Sequence, residues 1–298
     1  MSSSAAPKKI WSILDLITWG TEYLTEKNID DARLTIELML AHILLLKRIQ
    51  LYTKFDQPLS EVELSRFKEL LKRRLNREPL QYILGETEFM GLKFSVDRRV
   101  LIPRPETELL VEKAVELVKQ QFTQEQSVWI MDIGTGSGCI AVTIAKMIPS
   151  ADVIALDVSK EALDLSQQNA EQNGVMDKIS FHQIDMIELI AGSFNHKFHC
   201  ILSNPPYISE NDFKEVSPEI EKYEPHIALT DNGNGLKYFP AIARFAKESL
   251  IENGIVGVEH AFGQSESVRK IFLEYGFSES MVVKDFQKIE RHLFFTRS

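Results

Sequence analysis

Val128-Trp129-Ile130-Met131-Asp132-Ile133-Gly134-Thr135-Gly136-Ser137-Gly138, continued without a break by Cys139-Ile140-Ala141-Val142-Thr143-Ile144-Ala145-Lys146, is the stretch that decides the fold. Residues 128–131 are apolar and bulky, the composition of a buried strand. Residues 139–146 mix small and aliphatic side chains, as a helix lying against a sheet requires. Between them lie three glycines at alternate positions, so the segment reads as strand, tight loop, helix. That arrangement brings backbone N–H groups at a helix N-terminus close to a ligand. The dinucleotide fingerprint spaces its glycines G-x-G-x-x-G, whereas here the pattern is G-x-G-x-G. A nicotinamide-dependent oxidoreductase is therefore disfavoured.

Two further strands follow the same plan. Ala151–Leu156 ends in Asp157, one βα unit downstream, where a carboxylate can accept hydrogen bonds from the two ribose hydroxyls of an adenosine-containing ligand. Ile179–Ile184 ends in Asp185-Met186, placed to meet an adenine amino group and its face. A lone acidic residue at a strand end is ordinarily a cap or a solvated turn. Asp132, Asp157 and Asp185 at three successive strand ends carry more weight. Beyond them the sequence predicts a strand over 198–203, a helix over 236–250, a strand over 254–260, a helix over 264–275 and closing strands over 278–285 and 291–296, with a helix over 106–121 in front. Alternation of this kind implies an α/β, doubly wound sheet of seven strands. The connection between the last two strands is too short for a parallel crossover, so they should pair antiparallel.

The fourth strand runs into Ile201-Leu202-Ser203-Asn204-Pro205-Pro206-Tyr207, in which Asn204 lies 66 positions after Gly138. Asn and Pro are common turn formers, and alone this could be a strand-ending turn. Beside the glycine loop it suggests a chemistry. A planar amide or exocyclic amine is a poor nucleophile because its lone pair is delocalised. Acceptors for both of its N–H groups would pull the nitrogen out of conjugation and aim the lone pair at an electrophilic methyl. The Asn204 side-chain oxygen and the Pro205 carbonyl could be those acceptors. Consecutive prolines, lacking N–H groups and fixed in φ, hold the carbonyls still. Tyr207 could stack on the planar group. Methyl transfer onto a planar nitrogen is the expected reaction, by direct in-line displacement without a covalent enzyme intermediate.

These features resemble class I S-adenosylmethionine-dependent methyltransferases of the Asn-Pro-Pro-Tyr kind. Pro79–Gly85, Glu88–Leu92, Leu101-Ile102-Pro103-Arg104-Pro105-Glu106-Thr107-Glu108 and Tyr223–Leu229 narrow the resemblance to the protein glutamine methyltransferases of peptide chain release factors, over about Trp11 to Phe295. A sister family acting on a ribosomal protein usually has Pro-Arg-Ser-Pro where this chain has Pro103-Arg104-Pro105-Glu106. The resemblance implies S-adenosyl-L-methionine as cofactor, held by Asp132, Gly134, Thr135, Gly136, Ser137, Gly138, Asp157, Asp185, Met186 and Asn204. It implies a glutamine substrate met by Asn204, Pro205, Pro206 and Tyr207, with Asn204, Pro205 and Tyr207 catalytic. It also implies that Pro103-Arg104-Pro105 borders the cofactor pocket, and that the glutamine belongs to the release-factor loop that enters the ribosome. His226 stands where the family commonly has Arg, which could alter an ion pair beside the site. Nucleic-acid adenine methyltransferases share the Asn-Pro-Pro-Tyr clamp, but should carry a target-recognition domain with a basic face.

The remaining chain fits this reading. Residues 11–27, 31–46 and 60–77 show apolar positions at three and four spacing, so three amphipathic helices should form a small helical-bundle domain over 1–78, a candidate substrate-recognition domain. Ser60 and Glu63 should form a capping box. A linker with a short β-hairpin is expected over 79–105, and the methyltransferase domain over 106–298. Ser209 to Asp231 should form a flap or wall over the substrate. With 16 Lys+Arg against 14 Asp+Glu, residues 1–100 carry net +2, which leaves −11 of the chain's −9 for the remainder. An acidic catalytic half argues against gripping a phosphate backbone and suits a protein partner. The cluster Lys72-Arg73-Arg74 with Arg77 is explained equally well by the macrodipole at a helix end. Two cysteines exclude a disulfide scaffold, and both Cys139 and Cys200 should simply pack. Seven scattered histidines give no metal-ligand spacing. The start, Met1–Lys9, lacks a secretory apolar core and reads as a frayed tail. The expectation is a cytoplasmic, monomeric enzyme without membrane or direct nucleic-acid contact.

Overall fold

A computed structural model describes residues 10–123, 127–190 and 192–297; the segment expected as a frayed tail lies outside them. The chain divides into two compact units, Met1–Leu84 and Gly85–Ser298.

The first unit contains α1 (Ile13–Glu26), α2 (Ala32–Leu44), α3 (Arg48–Thr53), α4 (Glu61–Leu75) and α5 (Leu80–Leu84). The three long helices were legible from their period, whereas α3 and α5, at six and five residues, are too short to display one. Ser60 and Glu63 form the expected capping box, and Ser12 with Asp15 forms another at the start of α1. Ile13, Leu24, Ile36, Leu40 and Phe67 fill the core between these helices. Burying each such side chain contributes roughly 1.5–3 kcal/mol. The three arginines of the basic cluster bond inside the unit: Arg73 pairs with Glu78, Arg74 donates to the Glu78 carbonyl, and Arg77 donates to the Lys27 and Asn28 carbonyls beyond the end of α1.

The second unit begins with β1 (Glu86–Phe89) and β2 (Leu92–Ser95), an antiparallel hairpin. Met90 and Gly91 at its tip both have positive φ, as a two-residue hairpin turn favours. Phe89 and Phe94 sink into the core beside Leu110 and Val111. The segment expected as one linker over 79–105 is thus divided: α5 belongs with the helices, and the hairpin is anchored to the sheet unit by two buried phenylalanines.

Then come α6 (Pro105–Gln121), β3 (Val128–Ile133), α7 (Cys139–Met147), β4 (Ala151–Asp157), α8 (Lys160–Gln172), β5 (Ile179–Gln183), β6 (Phe198–Ser203), α9 (Glu210–Phe213), α10 (Pro218–Tyr223), α11 (Phe239–Ser249), β7 (Leu250–Glu259), α12 (Ser265–Glu274), β8 (Phe277–Lys284) and β9 (Glu290–Arg297). The seven-stranded sheet has the order β5-β4-β3-β6-β7-β9-β8. β9 is antiparallel to both neighbours, as the short β8–β9 connection requires. Side chains alternate across the sheet: Val128 and Ile130 face α6 and α7, while Met131 and Ile133 face α11. Strands buried on both faces explain the unbroken apolar runs in the sequence. The order reverses between β3 and β6, and a ligand crevice is expected outside the carboxyl ends at such a switch point. Among the described residues no helix is long and apolar enough to cross a membrane.

Candidate active site

The carboxyl ends of β3, β4, β5 and β6 surround a cleft that is open to solvent. Gly134, Gly136, Asp157, Asp185, Met186 and Asn204 line it, with Pro206, Pro225 and Tyr238. Asp157 Oδ2 accepts the Gly136 N–H at 2.8 Å and Oδ1 accepts the Ser159 N–H at 2.9 Å. Burial still raises its carboxyl above the usual range despite these bonds. The Val158 N–H also bonds this carboxylate, and of its roughly four acceptor sites these bonds leave room for a ligand hydroxyl. Asp185 Oδ1 caps the short turn at Met186 by accepting the Ile187 N–H, so the bland reading of a strand-end acid also applies to it.

Asp132, Thr135, Ser137 and Gly138 do not line this cleft; they build the turn behind it. Asp132 is 1% exposed, and its Oδ2 accepts from Thr135 Oγ1 at 2.6 Å and from the Ala141 N–H at 3.2 Å. Burial pushes its carboxyl up to about 7. Its Oδ1 has no hydrogen-bond partner among the described residues. Gly138, at φ 81°, opens α7; a Cβ there would lie 2.3 Å from Ser166 Oγ on α8. Asn169, also on α8, donates to the Ser137 and Ser95 carbonyls and so ties the turn to the hairpin. Nothing in the sequence pattern singled it out.

A second cavity adjoins the first. Leu101, Arg104, Glu106, Asn204, Pro205, Tyr207, Ile208, Glu259 and Arg291 are among its walls. The Asn204–Tyr207 run alternates between the two spaces: Pro206 lines the cleft, Pro205 and Tyr207 line the cavity, and Asn204 lines both. Ser203 Oγ donates to the Ile133 carbonyl at 2.8 Å, which locks the end of β6 to β3. Arg104, from the segment expected to border the cofactor pocket, lies in the second cavity instead. Its guanidinium pairs at 2.6 Å with Glu224, joining that segment to the wall formed by residues 209–231. Within this wall, His226 packs its ring edge-on against Phe213 at 4.4 Å.

Sequence reasoning did not identify the acceptor beneath Tyr207. Glu259, at the end of β7, is 1% exposed and accepts from Tyr207 Oη at 3.0 Å and from Thr107 Oγ1 at 2.8 Å. His292 Nε2 stands 3.4 Å from the same carboxylate. Burial alone would raise this carboxyl, but the His292, Thr107 and Tyr207 contacts outweigh it and hold it below the usual range. Enclosure of the Tyr207 hydroxyl beside Glu259 raises that phenol well above its ordinary 10.0, so it remains a donor. The strand-end rule that selected Asp132, Asp157 and Asp185 would also have selected Glu259 if extended to β7. The two cysteines are buried and free, with thiols pushed up by desolvation, Cys139 to about 12.

Comparison with known proteins agrees with this geometry. Residues 15–85 match the family described as PrmC N-terminal domain, and residues 108–233 match the methyltransferase small domain. A methyltransferase crystal structure from Pyrococcus furiosus superposes with a TM-score of 0.50 at 17% identity, over 70% of this chain and 91% of that one, a likeness of fold alone. The release factor glutamine methyltransferase of Chlorobaculum tepidum is 41% identical over 289 residues, covering 96% of this chain and 97% of its own. That of Geobacter sulfurreducens is 39% identical over 283 residues, covering 95% and 96%. With a class I methyltransferase fold and relatives this similar over nearly its whole length, the chain belongs to the release factor glutamine methyltransferase family.

Proposed function

We propose that this protein transfers the methyl group of S-adenosyl-L-methionine to the side-chain amide nitrogen of a glutamine in peptide chain release factors, acting as a cytoplasmic monomer without direct nucleic-acid contact. The observation that carries the reading is Asn204, the polar side chain among the three residues, with Leu101 and Ala228, that line both the cleft and the cavity beside it.

The cleft fits the cofactor chemically. Asp157 would accept the ribose hydroxyls, the backbone at Gly134 and Gly136 permits close approach, and Asp185 with Met186 would meet the adenine. Bound there, S-adenosyl-L-methionine supplies an electrophilic methyl on a sulfonium. In the second cavity, Asn204 Oδ1 and the Pro205 carbonyl would each accept one N–H of the glutamine amide, turning its nitrogen lone pair towards the cleft. The Tyr207 ring, held at its hydroxyl by Glu259, would cover the face of the amide. Net charge −11 after residue 100 disfavours the alternative of a nucleic-acid adenine substrate, which would need a basic groove.

Asn204→Ala in the full chain tests the clamp. Loss of one positioned acceptor should slow methyl transfer by about 10²–10³, by analogy with oxyanion-hole deletions. Cofactor affinity should stay within a few fold. Near-normal transfer by this variant would remove the amide clamp from the reaction.

A further inference from the structure

We infer that Glu259 is a positioning residue: acting through Thr107, it determines which end of the Asn204 amide faces the substrate. The inference deepens the proposed amide clamp and rests on it. Asn204 can serve as an acceptor for the substrate only if its Oδ1, and not its Nδ2, is turned to the cavity. Side-chain amides present both ends with nearly equal size, so something must hold the orientation.

The direction follows along one chain of hydrogen bonds. An ionised carboxylate only accepts, so Thr107 Oγ1 gives its single proton to Glu259 Oε2 at 2.8 Å. With that proton committed, Thr107 Oγ1 can only accept from Asn204, and its neighbour at 3.1 Å is therefore the Asn204 Nδ2–H. Oδ1 is left for the substrate. The second carboxylate oxygen accepts from Tyr207 Oη, so one buried group orders both side chains of the clamp. Completely burying a carboxylate is unfavourable unless several donors meet it, and here three do: Thr107, Tyr207 and His292. Reversing the end of the chain would reverse the whole. If the residue at 259 donated to Thr107, the threonine proton would be free to point at Asn204 Oδ1, and the amide would turn its N–H group towards the substrate.

Glu259→Gln introduces such a donor, and Thr107→Val removes the relay with little change of shape. In the full protein, both should lower the turnover of methyl transfer by roughly ten- to a hundredfold, a fraction of the effect expected of a lost acceptor. Cofactor affinity should stay within about twofold, and Thr107→Ser should restore turnover to within a few fold because it keeps the hydroxyl. In an Asn204→Ala background Thr107→Val should add little, since residues acting as one unit are non-additive, whereas Glu259→Gln should retain the part of its loss that runs through Tyr207. A purely structural role would instead lower melting temperature and cofactor affinity together and act equally in both backgrounds. Should Thr107→Val fail to fold, Glu259→Gln and Thr107→Ser carry the same comparison. Wild-type turnover in Glu259→Gln, or a Thr107→Val loss fully additive with Asn204→Ala, would overturn the inference while leaving the clamp intact. Wild-type turnover in Asn204→Ala itself would remove the clamp and the inference together.

Discussion

Asp157 and Asp132 sit at neighbouring strand ends, yet the structure separates their work. Asp157 lines the cleft, where its carboxylate can meet a ligand. Asp157→Ala should therefore weaken S-adenosylmethionine binding, at about 1.5–3 kcal/mol per lost charge-assisted bond before compensation. Calorimetric titration of a folded variant reads this directly, and unchanged affinity would place the ribose elsewhere. Asp132 lies behind the turn, and burial lifts its carboxyl from 3.8 to about 7. Because the folded-state value is raised, the protonated form favours the fold: its contribution is complete below about pH 4 and is lost as pH rises through about 7. Melting temperature should decline over that window, and Asp132→Asn should flatten the decline. Parallel curves for the two proteins would assign the pH dependence to other groups. At this scale the sequence revealed the acids because strand ends are identifiable from apolar runs. It concealed the bonding among Glu259, Thr107 and Asn204, since these residues are 152 and 97 positions apart and meet only through the sheet.

Element by element, legibility tracked length and burial. Long amphipathic helices and strands buried on both faces announced themselves, while α3, α5, α9 and α10 did not, having too few turns to show a period. The wall over residues 209–231 was recognisable as a segment by its charge and prolines, but its attachment was not. That attachment depends on backbone: the Ile208 N–H donates to the Leu229 carbonyl at 3.0 Å, and Asp231 gathers the Gly233, Gly235 and Lys237 N–H groups. Gly235, at φ 78°, comes so near the active-site run that a Cβ would lie 2.2 Å from the Tyr207 carbonyl oxygen. Gly235→Ala should displace Tyr207, lowering turnover at least tenfold and destabilising the protein by about 1–3 kcal/mol from backbone strain alone. Gly85, at φ 77° with nothing within 4 Å, supplies the comparison in which strain occurs without collision. Gly85→Ala should lower the melting temperature and leave turnover near wild type. Equal turnover in the two variants would show that contact with Tyr207 is immaterial.

For the molecule as a whole, the two units divide charge as well as structure. The near-neutral to basic N-terminal part contrasts with the acidic remainder. A role for that unit in recognising the protein substrate predicts a specific outcome for fragment 85–298, provided it remains soluble. It should bind cofactor normally, but lose far more activity on an intact release factor than on a short glutamine-containing peptide. Equal losses on both substrates would favour a supporting role for the helical unit. The central claim is tested most directly by labelled methyl transfer from S-adenosyl-L-methionine, run in parallel on purified release factor, ribosomal protein and DNA, with mass spectrometric mapping of the product. The structure and its relatives predict one methyl on a glutamine side-chain nitrogen of the release factor and little label elsewhere. Label confined to DNA, or to the ribosomal protein, would contradict it.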